Sequence, residues 1–422
     1  MLQRRKGVGA TLAMTLLLAV VAAQPVSAAP TTYTVQIGAG VPRGFTPRVF
    51  APPIDGVPTL KVQRGDTIHT TGGALILLPV GQGPLAWWEQ YAQGQDRPYS
   101  AFVSDPDADQ PGRVAPFKFN LQLFTPTDPS CGTADNPCVY SGSNPDPVAG
   151  VLNPGDLEAT GGEYYVTIDA APGEVIWGIQ QFGTPNMTTV LKIQVVGDAT
   201  AATTQAQIDS ARATLLSRTR DQAAALNKKL LAGQSKHTDP TTGRTVYDAW
   251  SGYDTDVVSL FNMYPKRIVI HKGDVVRWRF DSLQHEAHTV TFPLKKGLEL
   301  GGNGFMLSCD PDGDGGPGPD TPGDFQTFSC PDPTQMEFEL SARFLTPAGD
   351  GRYPGGANTA GKLEHSGMRG AIWPTPGSLG DKASYSLRFT KVSVTAARPN
   401  KGYRYICALH GTDMVGKVIV KP

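Results

Sequence analysis

The stretch Tyr403-Arg404-Tyr405-Ile406-Cys407-Ala408-Leu409-His410-Gly411-Thr412-Asp413-Met414-Val415-Gly416-Lys417-Val418-Ile419-Val420 decides how this chain is read. Its ends, Tyr403 to Ile406 and Val415 to Val420, alternate in the manner of half-buried strands. Arg398-Pro399-Asn400-Lys401-Gly402 forms a turn leading into the first of them. Between the strands lie a thiol at Cys407, an imidazole at His410 and a thioether at Met414. Taken alone, Cys407 reads as a buried cysteine with chance neighbours; the clustering of three donor types suggests a metal-ligand loop.

Thiolate, neutral imidazole and weak thioether form the donor set that suits copper cycling between two oxidation states. Hard cations prefer oxygen, and structural zinc usually takes a second cysteine. A copper site of this kind needs another histidine from a distant strand, and His288 in Gln284-His285-Glu286-Ala287-His288-Thr289-Val290-Thr291-Phe292 offers one. The expected metal residues are therefore His288, Cys407, His410 and Met414, and the expected cofactor is one copper.

A chain of 422 residues exceeds one ordinary core, so two or three domains are expected. The 48 glycines, 36 prolines and 18% charged residues suit short strands joined by turns. A formal net charge of -1 gives no hint of a polyanion-binding surface, so no nucleic acid is expected as a partner. Arg4, Arg5 and Lys6, the apolar run from Ala10 to Ala23 and Val26-Ser27-Ala28 read as a secretory signal peptide. The expected product is soluble and exported, periplasmic or extracellular, with no membrane span. Cys131 with Cys138 and Cys309 with Cys330 fall into two local pairs, alternative pairings remaining open, and Cys407 is left over. A lone thiol in an oxidising compartment needs something to hold it, and a metal would.

Along the chain, residues 1–29 are the signal peptide and 30–197 a first strand-rich domain. A helical linker over 198–236 has Ile208, Ala211, Leu215, Leu226 and Leu230 on one face and Gly233 as a stop. Residues 237–422 repeat the first domain: Pro265 to Val276 mirrors Pro47 to Ile68, with Gly65-Asp66 matched by Gly273-Asp274. Setting Gly173 against Gly402 places Gly178 at the Cys407 position, Gln181 at the His410 position and Ala74 opposite His288. The first copy lacks the thiolate and both imidazoles and is not expected to bind copper.

Both copies carry Asp-rich insertions. Asp310-x-Asp312-x-Asp314-Gly315 resembles the start of a calcium loop, but Thr321 stands where the bidentate Glu belongs, which favours a solvated acidic loop over a calcium site.

The chain resembles the cupredoxin family, the plastocyanin-like and halocyanin-like blue type 1 copper proteins. The resemblance lies in Lys272-Gly273-Asp274, His288 to Phe292, Tyr405 to His410 and Met414 to Val418. It implies an all-β fold, two cupredoxin-like Greek-key β-sandwich domains joined by a helical linker, the first degenerate. It also implies copper held by His288, Cys407, His410 and, as weak axial ligand, Met414, although Cys-x2-His-x3-Met differs by one residue from common members. One-electron transfer through the exposed edge of His410, to a redox partner protein, is the implied activity. The rival readings are a nitrite-reductase-like copper oxidoreductase, whose second copper would draw on His285 and His365, and copper storage or delivery. A laccase-like oxidase needs His-x-His pairs, which this sequence lacks.

Overall fold

The computed structural model describes residues 29–37, 45–46, 59–92, 97–100, 102–104, 117–120, 123, 125–142, 150–155, 162–180, 190–233, 235–255, 258–282, 287–302, 305–309, 336–340, 342–354, 363–370 and 384–422. The signal-like segment, the run from Asp310 to Gly315, Cys330 and His285 lie outside these residues.

In the first half, alternating apolar residues put two sheets over one core. One sheet runs in the order β1 (Thr32–Gln36), β4 (Thr67–Thr71), β9 (Glu163–Ile168) and β8 (Cys138–Tyr140). The other runs β3 (Thr59–Gln63), β11 (Val190–Val196), β10 (Val175–Gln180) and β5 (Leu75–Leu77). Val35, Ile68 and Val166 of the first meet Leu60, Val62, Ile176 and Ile193 of the second in one buried cluster. Cys131 and Cys138 form the expected local disulfide.

The second half has the same plan. One sheet contains β13 (Thr245–Asp254), β16 (Val275–Arg279), β22 (Ser384–Phe389) and β20 (Arg352–Tyr353). The other runs β15 (Arg267–His271), β24 (Gly411–Lys421), β23 (Tyr403–Cys407), β17 (Thr291–Phe292) and β21 (Glu364–His365). Strand senses agree throughout. The first sheets pair parallel, antiparallel, parallel. The second sheets pair parallel, antiparallel, antiparallel. Both halves are thus β-sandwiches of one topology, and the chain is all-β apart from its helices.

The corner between the sheets repeats in detail. Gly65 and Gly273 have φ of +92° and +101°, which glycine adopts without steric cost. Asp66 accepts from the Gln63 amide at 2.6 Å, and Asp274 accepts from the His271 amide at 2.8 Å. Tyr33 on β1 and Tyr247 on β13 hold matching register positions, and burial, then the charge of these same two carboxylates, raises the pKa of each phenol. The turn does not join a hairpin: the strands on either side of it belong to opposite sheets.

Strand register corrects the sequence alignment of the two copies. With Gly65 matched to Gly273, Thr59 matches Arg267, and their partners Lys192 and Lys417 match in turn. Those lysines pair with Trp177 and Arg404. Gln180, not Gly178, therefore falls at the Cys407 position, and counting back from Leu77, which faces Gly178, puts Gly73 rather than Ala74 opposite His288. Gly183, which falls at the His410 position in place of Gln181, lies outside the described residues. None of these residues carries a sulfur or an imidazole.

Helix α1 (Gln205–Ala232) opens on a capping box between Thr204 and Gln207 that satisfies its first amides. Ile208 enters the first core, while Leu215, Ala223 and Leu230 pack with Val258, Leu260 and Tyr264 of the second half. Ala211 and Leu226 are only partly buried. The halves are further joined by backbone pairing. β2 (Phe45–Thr46) extends the second half's sheet through β14 (Ser259–Tyr264). The insertions meet in a shared sheet: β6 (Phe102–Ser104) and β7 (Phe117–Phe119) join β18 (Phe305–Cys309) and β19 (Met336–Leu340) in the order β18-β19-β7-β6. Strand β12 (Ser235–Thr238) pairs with β13 and straddles residue 237. Among the described residues no helix is long and apolar enough to cross a membrane.

Candidate metal centre

Three side chains from two distant stretches converge at one end of the second sandwich. His288 stands three residues before β17, its backbone fixed by reciprocal bonds with Arg369: the His288 amide donates at 2.7 Å and its carbonyl accepts at 2.9 Å. Cys407 ends β23, and His410 sits in the turn that Gly411, at φ +58°, closes into β24. Cys407 Sγ lies 3.4 Å from His410 Nδ1 and 3.9 Å from His288 Nδ1, and the two Nδ1 atoms are 3.0 Å apart. Among the described residues these three form the cluster whose donor atoms all lie within 4.8 Å of one another.

Those spacings suit one shared ion. An ion about 2.0 Å from each nitrogen and about 2.3 Å from the sulfur would subtend angles of roughly 95–130° between donors, in the tetrahedral-to-trigonal range. Both imidazoles direct the same nitrogen inward. His288 is fully buried, and burial together with the neighbouring His410 holds its pKa well below the ordinary histidine value. Burial also brings His410 down to about 4. Both rings are therefore neutral at neutral pH and have lone pairs to offer. Burial pushes the Cys407 thiol up, while hydrogen bonds from Thr289 pull the other way; a cation would displace its proton.

Thr289 ties the halves of the site together. Its amide donates to Cys407 Sγ at 3.2 Å, its hydroxyl reaches the same sulfur at 3.8 Å, and its Oγ1 accepts from the Ala408 amide at 2.7 Å. Phe261 on β14 sets its ring edge-on to both imidazoles, with centroids 5.6 Å from His288 and 4.8 Å from His410. Gly252, at a bulge in β13 and at φ +77°, leaves the space that the His288 ring fills. Helix α2 (Leu294–Gly302) lies over the ligand strand, because Gly297 faces Ile406 and Gly301 faces the Ala408 carbonyl. Sequence reading missed these supports. The only local trace was the glycine pair four apart at 297 and 301, which marks one helix face.

Met414 is fully buried in the same cluster as Cys407. His410 remains partly exposed. His365 is buried, with Nδ1 2.8 Å from Thr291 Oγ1 and Nε2 2.9 Å from the Phe344 carbonyl, so both ring nitrogens are occupied. Burial lowers its pKa to about 4.

No family model and no curated protein matches the sequence. Solved structures that match include a multicopper oxidase at 11% identity, covering 92% of this chain and 88% of that chain with a TM-score of 0.18. The blue copper oxidase from Nitrosomonas europaea matches at 13% identity, covering 67% and 66% with a TM-score of 0.17. Multicopper oxidase mgLAC matches at 10% identity, covering 87% and 89% with a TM-score of 0.15. The strand order and the His-Cys-His donor set stand on this chain's own residues, and that donor set fits a type 1 copper site.

Proposed function

We propose that this chain binds one copper ion through His288 Nδ1, Cys407 Sγ and His410 Nδ1, with Met414 as weak axial ligand, and works as an exported single-electron carrier. What carries the reading is the convergence of one sulfur and two Nδ1 atoms at 3.0 to 3.9 Å. Bound there, copper would store and release one electron. The protein's part is to hold the donors still: Thr289 fixes the sulfur, Arg369 the His288 backbone, and Phe261 limits water at both rings. A donor set packed this tightly changes little between oxidation states, which keeps reorganisation small. Export is supported by the basic and apolar N-terminal sequence and by the Cys131–Cys138 disulfide.

The test is to add cupric ion to the purified protein and record the visible spectrum. An intense thiolate-to-copper band, at one copper per chain and absent in Cys407→Ser, is the expected result. A colourless complex, or a band that survives Cys407→Ser, overturns it. Two tight coppers per chain with turnover of nitrite or phenols would turn the reading to an enzyme.

A further inference from the structure

The net charge of -1 conceals a separation. From Ser384 to Pro422 the chain has seven lysines and arginines and one acidic residue, Asp413. Cross-strand register sets Arg267 opposite Lys417, and Lys417 opposite Arg404. Three cations thus stand abreast on β15, β24 and β23, spanning about 10 Å at the usual strand spacing. The alternate residues Ile268, Val418 and Tyr403 point into the core, so the row lies on the outer face. Arg267 and Arg404 are exposed and Lys417 partly so.

None of the three has an acidic partner among the described residues. Arg267 donates to Asn400 Oδ1 at 3.0 Å, and the Lys417 stem lies against Gly402. Exposed Lys266, next to Arg267, and Arg398 and Lys401, in the turn that holds Asn400, add to the field. Like charges directly opposite on adjacent strands repel, so the fold carries a cost that an anionic partner would remove.

We propose that the row Arg267, Lys417 and Arg404, on the outer side of β15, β24 and β23, docks an acidic face of a partner protein. Two guanidinium groups flanking an ammonium match carboxylates, which an arginine fork grips in pairs. A lipid surface fits less well. The exposed large apolar side chains among the described residues are Leu85, Val139, Leu231 and Leu298, and none lies on these three strands to anchor in acyl chains. Arg404 precedes Cys407 by three residues on β23, about 10 Å along the strand, so a docked partner would sit beside the ligand loop. The proposal goes beyond the copper reading and stands without it.

The experiment uses the full-length chain and poly-L-glutamate as probe, with phosphatidylglycerol vesicles and duplex DNA alongside. The variant Arg267→Gln/Lys417→Gln/Arg404→Gln should weaken poly-L-glutamate binding about tenfold or more at low salt. A charge-matched control on α1, Arg218→Gln/Lys228→Gln/Lys229→Gln, should weaken it less than about twofold. The difference should shrink as salt shortens the screening length. Lys417→Gln alone, at the centre of the row, should cost about threefold. The row variant should melt no lower than the parent, because repulsion is relieved. Equal losses in row and control variants, or tighter binding to the vesicles or DNA than to poly-L-glutamate, overturn the proposal.

Discussion

The imidazole of His288 occupies the place where a side chain on Gly252 would stand: a Cβ built there runs into His288 Nε2 and Cδ2. Gly252 also has φ +77°, so two constraints meet at one residue. Gly252→Ala is expected to displace His288 and weaken metal binding at least tenfold, as well as costing about 1–3 kcal/mol of stability. Gly273→Ala separates the effects, since Gly273 has φ +101° and open space around it. It should lower the melting temperature by backbone strain alone and leave metal titration unchanged.

Gly301 and Gly302 end the same helix but should respond in opposite ways. A Cβ at Gly301 would strike the Ala408 carbonyl, whereas one at Gly302 meets nothing. Alanine normally gains about 0.5–1 kcal/mol over glycine in a helix. Gly302→Ala should therefore stabilise the chain or leave it unchanged. Gly301→Ala should destabilise it and shift the visible band by pushing on the ligand loop. Thermal melts and spectra of the pair would check this.

Without metal, the protein should be less stable at pH 5 than at pH 7. Burial lowers the pKa of both His365 and His410 to about 4. A histidine depressed in the folded state binds a proton more readily when unfolded, so stability rises with pH between about 4 and 6.5. Falling pH in that window removes on the order of 2 kcal/mol per group by pH 5. Urea midpoints across this range measure the slope. His365→Gln, which keeps a polar side chain without a titrating ring, should flatten it.

Thr289→Val keeps the amide bond to Cys407 Sγ and removes the hydroxyl that the Ala408 amide donates to at 2.7 Å. Leaving a buried amide unpaired costs about 1–3 kcal/mol. Stability should fall by that order while copper still binds, and the band should move because the loop beside the sulfur has loosened. Thr289→Ser, retaining the oxygen, should restore both.

Much of the fold was legible because a strand's alternation is local. Val276 and Trp278 pointing inward against Arg277 and Arg279 can be read without any partner, and the structure buries the first two and not the others. The start of α1 was less legible, since composition blurs over 198–204 and only the Thr204 capping box marks the first turn. In the site, the donor residues announced themselves by chemical type. Their supports did not: Thr289, Phe261 and Gly252 are common residues whose roles come from what they touch.

The sequence by itself determined the alternation that makes strands, the corner glycines and the donor set of Cys407, His410 and His288. Tertiary structure decided what depends on pairing between distant strands. Register placed Gln180, not Gly178, at the Cys407 position and set Arg267, Lys417 and Arg404 abreast. It also left both nitrogens of His365 bonded while turning Nδ1 of His288 and His410 toward one sulfur. The physical reason is that a strand's pattern says which face each residue takes, whereas its neighbour across the ladder is chosen by packing that a single strand does not contain.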